Sequence, residues 1–533
     1  MMVVVALLVG SVISACGVEP AVEVETSVAE LDRSVSVRDF GAVGDGVADD
    51  RAAIQAALDS GAAEVVVPVG SYVVGRGAGY WCLSVPAGVT LRGETRDGAV
   101  LRQAPGIAGS VRLLQVAAAG VAIRDLTLDG NRARQTADEH RAGVFATGAP
   151  DLTIRGVTAR GFTGDGFYLY LGSNNAVIDD VLATDNDRNG ITFGGGTSGG
   201  TVTASRFIAN LVQQFDSEPG NGNTVDGLTV RGNTIDAMGR SNDYALTISG
   251  SSSAARSRGW TVEGNVINGG IFVVSADAIA VRGNVGVNPT TKASATVYRG
   301  SDDVTIKGNR FTMTQTQVSS LGVVTVTGTG TGNAPSRARI VGNVLVATGR
   351  AQAFGVRVDG ALSVEITDND VRGPGLYAPG YSGVYLRATN PAEDFRSAVV
   401  RRNTITNWGA LGVSVQGNGT ARLLAVEVAD NRFDDTAGAM RNAVSLDDGT
   451  GAARVITLSD NVLSGGVVTQ VSRYPLGAAV LIAGARGAGG GYSVAASPEG
   501  VVAEVPGAVA TSRSDGTVWR KLTGSDATGW VAQ

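Results

Sequence analysis

From about residue 151 onward, apolar and polar positions alternate in short runs. Each run closes on the same phrase: a strand-like stretch, a Gly or Asp, an Asn, then an apolar residue. Thr229-Val230-Arg231-Gly232-Asn233-Thr234-Ile235 is one copy and Thr261-Val262-Glu263-Gly264-Asn265-Val266-Ile267 another, and later copies centre on Asn309, Asn343, Asn369, Asn403, Asn431 and Asn461. Period-two alternation buries one face of a strand and leaves the other outward. Most intervals between these asparagines are roughly 25–35 residues, the range in which each turn of a solenoid stacks on the last. No copy contains an amphipathic helix, which excludes leucine-rich and ankyrin-type arrays. The pattern predicts an all-β chain, a single-stranded right-handed parallel β-helix over residues 35–475. The repeated Asn reads as structural: it tolerates the left-handed conformation at a corner, and stacked Asn side chains hydrogen-bond along the solenoid.

Both ends depart from this pattern. In the stretch that runs from Val37 to Asp59, Gly44-Asp45-Gly46 is a turn, Asp49 or Asp50 is a candidate N-cap, and Ile54 and Leu58 share one helical face. This predicts a short N-terminal helix that plugs the open end of the solenoid. After about residue 475 the Asn phrase stops, and residues 476–533, with Trp519 and Trp530 as packing residues, read as a small β-rich C-terminal cap or assembly segment.

The first residues carry an apolar run too short for a membrane span and suited to a signal sequence. It ends in Ile13-Ser14-Ala15-Cys16, which resembles a bacterial lipobox, although no Lys or Arg precedes the run. Residues 1–15 then form the signal peptide of a lipoprotein, with Cys16 lipidated. Residues 16–34, with Glu19, Glu23, Glu25, Glu30 and Asp32, form an acidic flexible tether. The expectation is export and attachment to the cell envelope, at the outer membrane or cell surface, with membrane contact only through the lipid.

Composition narrows the picture further. Gly is high at 76 residues and charged residues reach only 17 %, as expected of short strands joined by tight turns. A net charge of −6 with no basic block argues against a nucleic-acid partner. One histidine excludes a two-His metal site, and two cysteines exclude a disulfide framework, leaving Cys82 as a buried thiol. The oligomeric state is not written in the sequence.

The stretch from Val37 to Asp59, followed by Val65-Val66-Val67-Pro68, Val89-Thr90-Leu91-Arg92-Gly93 and Arg124-Asp125-Leu126-Thr127-Leu128-Asp129-Gly130-Asn131, resembles the start of a known domain. This is the pectate-lyase-like β-helix domain shared by rhamnogalacturonase/epimerase-type proteins and mannuronan C5-epimerases. The likeness is specific over residues 35–200. It implies a pectin-lyase-like solenoid with a polysaccharide substrate or ligand along one sheet face. The epimerases carry Phe-Asp-Pro-His on the rung matching Gly166-Phe167-Tyr168-Leu169-Tyr170, so their Asp falls on Tyr168 and their His on Tyr170. That departure puts epimerisation in doubt.

Laying rungs over one another places Tyr168, Thr192, Asp216 and Thr247 in one outward column, with Tyr170, Gly194, Glu218 and Ser249 in the next. Asp216 and Glu218, two residues apart on one strand, should hold their carboxyls about 6–7 Å apart, the geometry of acid/base glycoside cleavage with a slight preference for inversion. Gly194 should leave a gap beside Glu218. Asp165, Tyr168, Tyr170, His140, Arg141, Arg188 and Asn189 are the expected substrate-positioning residues, with His140 and Arg141 at the groove edge. No cofactor is expected. The run Asp185-Asn186-Asp187-Arg188-Asn189-Gly190 offers clustered oxygens for Ca²⁺, but such turns are common in β-helices. The leading expectation is a glycoside-cleaving enzyme. Lyase or epimerase chemistry on a uronic-acid polymer, and a non-catalytic surface glycan-binding or adhesin-like scaffold, are the alternatives.

Overall fold

The computed structural model describes residues 34–467 except 221, 238–243, 316–318, 329–331, 350–351, 390–393, 418–422 and 448–454. Beyond that it describes 469–473 and the strands 479–483, 491–494, 502–503, 509–512, 518–521 and 530–532. Cys16, the signal peptide and the tether up to residue 33 lie outside the described residues, as does the stretch 522–529 that precedes Trp530.

The chain winds as a right-handed parallel β-helix with a short N-terminal helix. Three stacks of parallel strands run its length. The site lies on the stack that contains Val144–Thr147, Phe167–Tyr170, Ile191–Gly194, Phe215–Glu218, Leu246–Ser249, Ile271–Val274 and Ala295–Tyr298, called here the site sheet. Val144, Phe167, Ile191, Phe215 and Leu246 stand in register and are fully buried. Their apolar side chains, with Phe193, Phe207 and Trp260 packed edge-on or stacked around Phe215, fill the interior between the three sheets.

The asparagine phrase is a corner ladder. Asn233 donates from its backbone N–H (2.9 Å) and from Nδ2 (3.0 Å) to Oδ1 of Asn265 one turn on, and Nδ2 also reaches the carbonyl of Val202. The same bonds recur through Asn309, Asn343, Asn369, Asn403 and Asn431 to Asn461. Each amide is therefore satisfied although buried. The ladder includes Asn284, a copy missing from the sequence phrase, which splits the long 265–309 interval into turns of 19 and 25 residues. The left-handed residue is the one before each Asn, a role taken by Gly232, Gly264, Asp368 and Arg402. The asparagine supplies the ladder rather than the turn.

The capping helix spans Arg51–Leu58 and buries Ile54, Ala57 and Leu58. Asp50 sits at its N-cap position without capping it, and instead accepts the backbone N–H groups of Val43 and Gly44, fixing the Gly44 turn. At the other end parallel pairing continues past residue 475, as far as Tyr492–Val494 against Ala510–Ser512. The strands Val518–Lys521 and Trp530–Ala532 then add antiparallel, and Trp519 packs against the core. Among the described residues no helix is long and apolar enough to cross a membrane.

Candidate functional site

The outward columns follow the expected register as far as the acid rung: Phe145 stands over Tyr168, Tyr168 over Thr192, Thr192 over Asp216, and Gly194 over Glu218. Beyond Phe215 and Leu246 the ladder is interrupted. The Ser249 N–H donates to Ser217 Oγ at 2.7 Å, so Thr247 is not a backbone partner of Asp216.

A cleft of about 270 Å³ opens above these columns, lined by Arg112, Glu139, His140, Phe145, Tyr168 and Glu218 among others. Phe145 stacks on Tyr168 with centroids 5.6 Å apart, Tyr170 lies tilted 6.1 Å further, and Arg112 sits 4.4 Å over the Phe145 ring. Gly194 does not leave a gap. A Cβ there would meet Tyr170 Cδ2 at 2.5 Å, so the missing side chain is the seat of the Tyr170 ring.

The acids are more enclosed than a solvent-facing column suggests. Asp165 is buried and occupies the corner position that Asn189 and Gln213 take in the next two rungs. The Asn189 N–H donates to Asp165 Oδ1 at 2.9 Å, and the Gln213 N–H to Asn189 Oδ1 at 3.1 Å. Arg188 reaches Asp165 Oδ2 at 2.7 Å, pairs with Glu218, and lies 3.6 Å from Glu139. Thr192 donates to Asp165 at 3.2 Å, while Asn189 Nδ2 bridges Thr192 at 3.0 Å and Asp216 at 3.2 Å. Tyr168 Oη donates to Glu218 at 3.5 Å. One network thus joins Asp216, Asn189, Thr192, Asp165, Arg188, Glu218 and Tyr168.

Asp165, Glu218 and Glu139 share the Arg188 guanidinium, and Asp216 stands beside them without a bond to it. Burial pushes Asp165 up to about 7 against the opposing effects of Arg188 and the Asn189 N–H. Burial, then the charges of Glu218 and Asp165, raise Asp216 well above the usual carboxylate range, and a hydrogen bond with Glu218 raises it further. Asp165 receives three donors and Asp216 only the Asn189 amide. Of the two buried acids, Asp216 therefore keeps the proton. Burial works against the Arg188 charge, but Asp165 and Glu218 more than offset it and hold the guanidinium protonated. Burial, with the charges of Glu218 and Asp165, also pushes the Tyr168 phenol up.

Several placements differ from the sequence expectation. The Asp216 and Glu218 carboxyls lie within hydrogen-bonding reach of each other, not 6–7 Å apart, because Arg188 and Tyr168 draw Glu218 toward the wall. Arg141 is not at the groove edge. It is 1 % exposed and donates to Gln135 Oε1 and the Ile107 carbonyl. His140 does line the cleft, with Nδ1 3.5 Å from Asp138. The 185–190 run is not a cation cluster, since Asn186 is buried in a second corner ladder with Asn210 and Asp187 pairs with Arg132. Among the described residues no group of three or more His, Cys, Asp or Glu side chains is placed to hold a metal. Glu139, Arg112 and Phe145 went unrecognised in the sequence. The one signal for them was their position one and two rungs before Tyr168 on the same sheet.

Solenoid, capping helix and corner ladders together define a pectate-lyase-like β-helix, and over its N-terminal part the chain is related to that superfamily and to the mannuronan C5-epimerases. Residues 34–271 match the family described as rhamnogalacturonase A/epimerase, pectate lyase-like. Mannuronan C5-epimerase AlgE4 of Azotobacter vinelandii is 37 % identical over 171 residues, 29 % of this chain and 31 % of that protein. A pre-neck appendage protein of Bacillus phage phi29 is 30 % identical over 168 residues, 30 % of this chain and 17 % of the phage protein. The chain thus spans less than a third of the length of these curated relatives. Among solved structures, the A-module of mannuronan C-5 epimerase AlgE6 of Azotobacter vinelandii covers 85 % of this chain and 99 % of its own length, with 21 % identity and a TM-score of 0.40.

Proposed function

We propose that the protein cleaves glycosidic bonds of a polysaccharide at the cleft above the Phe215–Glu218 strand, and that it does so at the cell envelope, held through Cys16. The observation that carries this reading is the excess of carboxyls over guanidinium beside an aromatic-lined cleft, which together with burial keeps a proton on Asp216 at neutral pH. The Asp216 and Glu218 carboxyls are too close to flank a scissile bond, since inverting and retaining pairs stand about 5–9.5 Å apart. They act as one proton-holding unit. Glu218, the member that lines the cleft, passes the proton to the glycosidic oxygen as the bond from that oxygen to the anomeric carbon breaks. Water adds to the anomeric carbon, and its proton passes to Glu139, the other cleft-lining carboxylate beside Arg188. Tyr168, Tyr170 and Phe145 give sugar rings a flat wall, and His140 stands at the rim. Asp165, Arg188 and Asn189 position the pair.

Lyase or epimerase chemistry is the second reading, favoured by the relationship to mannuronan epimerases. It needs a free cation to neutralise a uronate. Arg188, already shared among Asp165, Glu218 and Glu139, is poorly suited to that role, which leaves Arg112, lining the cleft over Phe145 with no ion pair among the described residues, as the cation for it. A polysaccharide panel incubated with the full chain distinguishes the readings. New reducing ends without near-ultraviolet absorbance support hydrolysis. Absorbance from an unsaturated product supports a lyase. Neither signal from any polymer overturns cleavage and leaves an epimerase, read by NMR of the recovered polymer, or a binding scaffold.

A further inference from the structure

A second cluster of aromatic side chains occupies the same sheet on the far side of the acid rung. Phe272 follows Thr247 in register on the outward column, and Tyr298 follows Val274 on the next. At a rung spacing of ~4.8 Å, Phe272 stands two rungs (~10 Å) beyond Asp216 and Tyr298 three (~14 Å), while Tyr168 stands two rungs before it. Tyr244 stacks on Phe272 at 4.6 Å and 15°, and Phe272 meets Tyr298 at 5.6 Å. The neighbours of Phe272 on its own column, Thr247 and Thr296, are small and polar, so a partly exposed phenyl ring stands between them.

Two cations lie against this cluster. Lys292 Nζ is 5.3 Å from the Tyr244 ring centroid, and Arg299 is 5.6 Å over Tyr298. Among the described residues neither has a carboxylate partner, in contrast to Arg188, which has three. A cation held at a ring face by a weak attraction remains available to an anion.

We infer that Phe272 and Tyr298, backed by the buried Tyr244 and flanked by Lys292 and Arg299, form a second glycan-binding platform that takes a stretch of polymer bearing carboxylate or sulfate groups. The polymer would lie across the strands, along the solenoid axis, seated on aromatic walls on both sides of the acid rung. Binding at the platform stands by itself. Only its consequence, internal rather than terminal cleavage, rests on the hydrolytic reading above.

Affinity electrophoresis of the full chain tests this, in gels containing polygalacturonate, dextran sulfate or dextran. The expected result is retardation by at least one of the two anionic polymers and not by dextran, and the retarding polymer tells carboxylate from sulfate. F272A/Y298A and K292Q/R299Q should each weaken that retardation about fivefold or more. The glutamine variant leaves the ring packing intact, so it carries the test if the alanine variant fails to fold. No retardation by either anionic polymer, equal retardation by dextran, or equal retardation of wild type and K292Q/R299Q overturns the platform. Retardation without release of reducing ends from the same polymer keeps the platform and defeats the hydrolytic reading.

Discussion

Asp216 and Asp359 lie five rungs apart on the outward columns of one sheet, and they are equally enclosed, at 7 % and 6 % exposure. Their protonation is opposite. Burial pushes both up, but Asp359 accepts from Arg387 at 3.1 and 2.6 Å and from Arg357 at 2.5 Å, and these two arginines hold it below the usual carboxylate range. Asp216 has no arginine hydrogen bond and two acidic neighbours, and is raised. Burial therefore does not by itself decide whether an acid is raised or depressed here. The ratio of carboxyls to guanidiniums does: three to one around Arg188, and one to two around Asp359.

The largest effect that tests this contrast is on activity. D216N/E218Q should lower cleavage by about 10²–10⁴-fold, the usual size of a general-acid contribution, as read by reducing ends. D359N should leave the rate within about twofold. A comparable loss in both would mean that the two clusters are not functionally distinct.

The fold was legible because its signals are local and repeated. Gly232-Asn233 and its copies announce a corner, and alternating strands announce two faces. The register of Phe167, Ile191 and Phe215 follows from spacings of 24 residues that can be counted. The site was legible only as columns. Counting places Asp216 beneath Thr192, but not the reach of Arg188 from the preceding corner, which draws Glu218 to the wall and closes the pair. Arg141 failed for the same reason: a corner residue near a groove can turn either way, and the carbonyl of Ile107 captures it. Asn284 was hidden because its turn is only 19 residues long.

Stability should separate the two aspartates in the opposite sense. D359N leaves Arg357 and Arg387 crowded without their shared counter-ion and should cost about 2 kcal/mol, less than a fully buried pair because Arg387 is partly exposed. D216N resembles the protonated form and should leave the melting temperature at pH 7 unchanged or higher. The pH dependence has opposite signs. Asp359 is depressed, so its contribution is present above the unfolded value of 3.8 and is lost as pH falls through its folded pKa. Asp165 and Asp216 are raised, so the native state binds more protons than the unfolded chain above 3.8, and stability falls as pH rises toward about 7. Melting curves from pH 4 to 8 should therefore show D216N gaining on wild type as pH rises. A constant difference would mean that Asp216 is ionised throughout.

The smallest expected effect tests whether the polar network belongs to the acid rung or to the column as a whole. Thr192 and Ser414 occupy the same outward column and are both buried. The Thr192 hydroxyl donates to Asp165 and accepts from Asn189, while Ser414 Oγ has no hydrogen-bond partner. T192V keeps the shape but removes one donor from Asp165 and one acceptor from Asn189, at a cost of about 1–2 kcal/mol. It also removes one of the three donors that oppose burial at Asp165, so the Asp165 pKa should rise and the pH profile of cleavage should shift with it. S414A removes a hydroxyl that satisfies nothing and should be neutral or slightly stabilising, with an unchanged profile. Thermal melts rank the two variants, and the pH profile assigns the cause. If T192V and S414A behave alike in both, the hydroxyl column is a general feature of the sheet, and the protonation of the acid rung is set by Arg188 and burial alone.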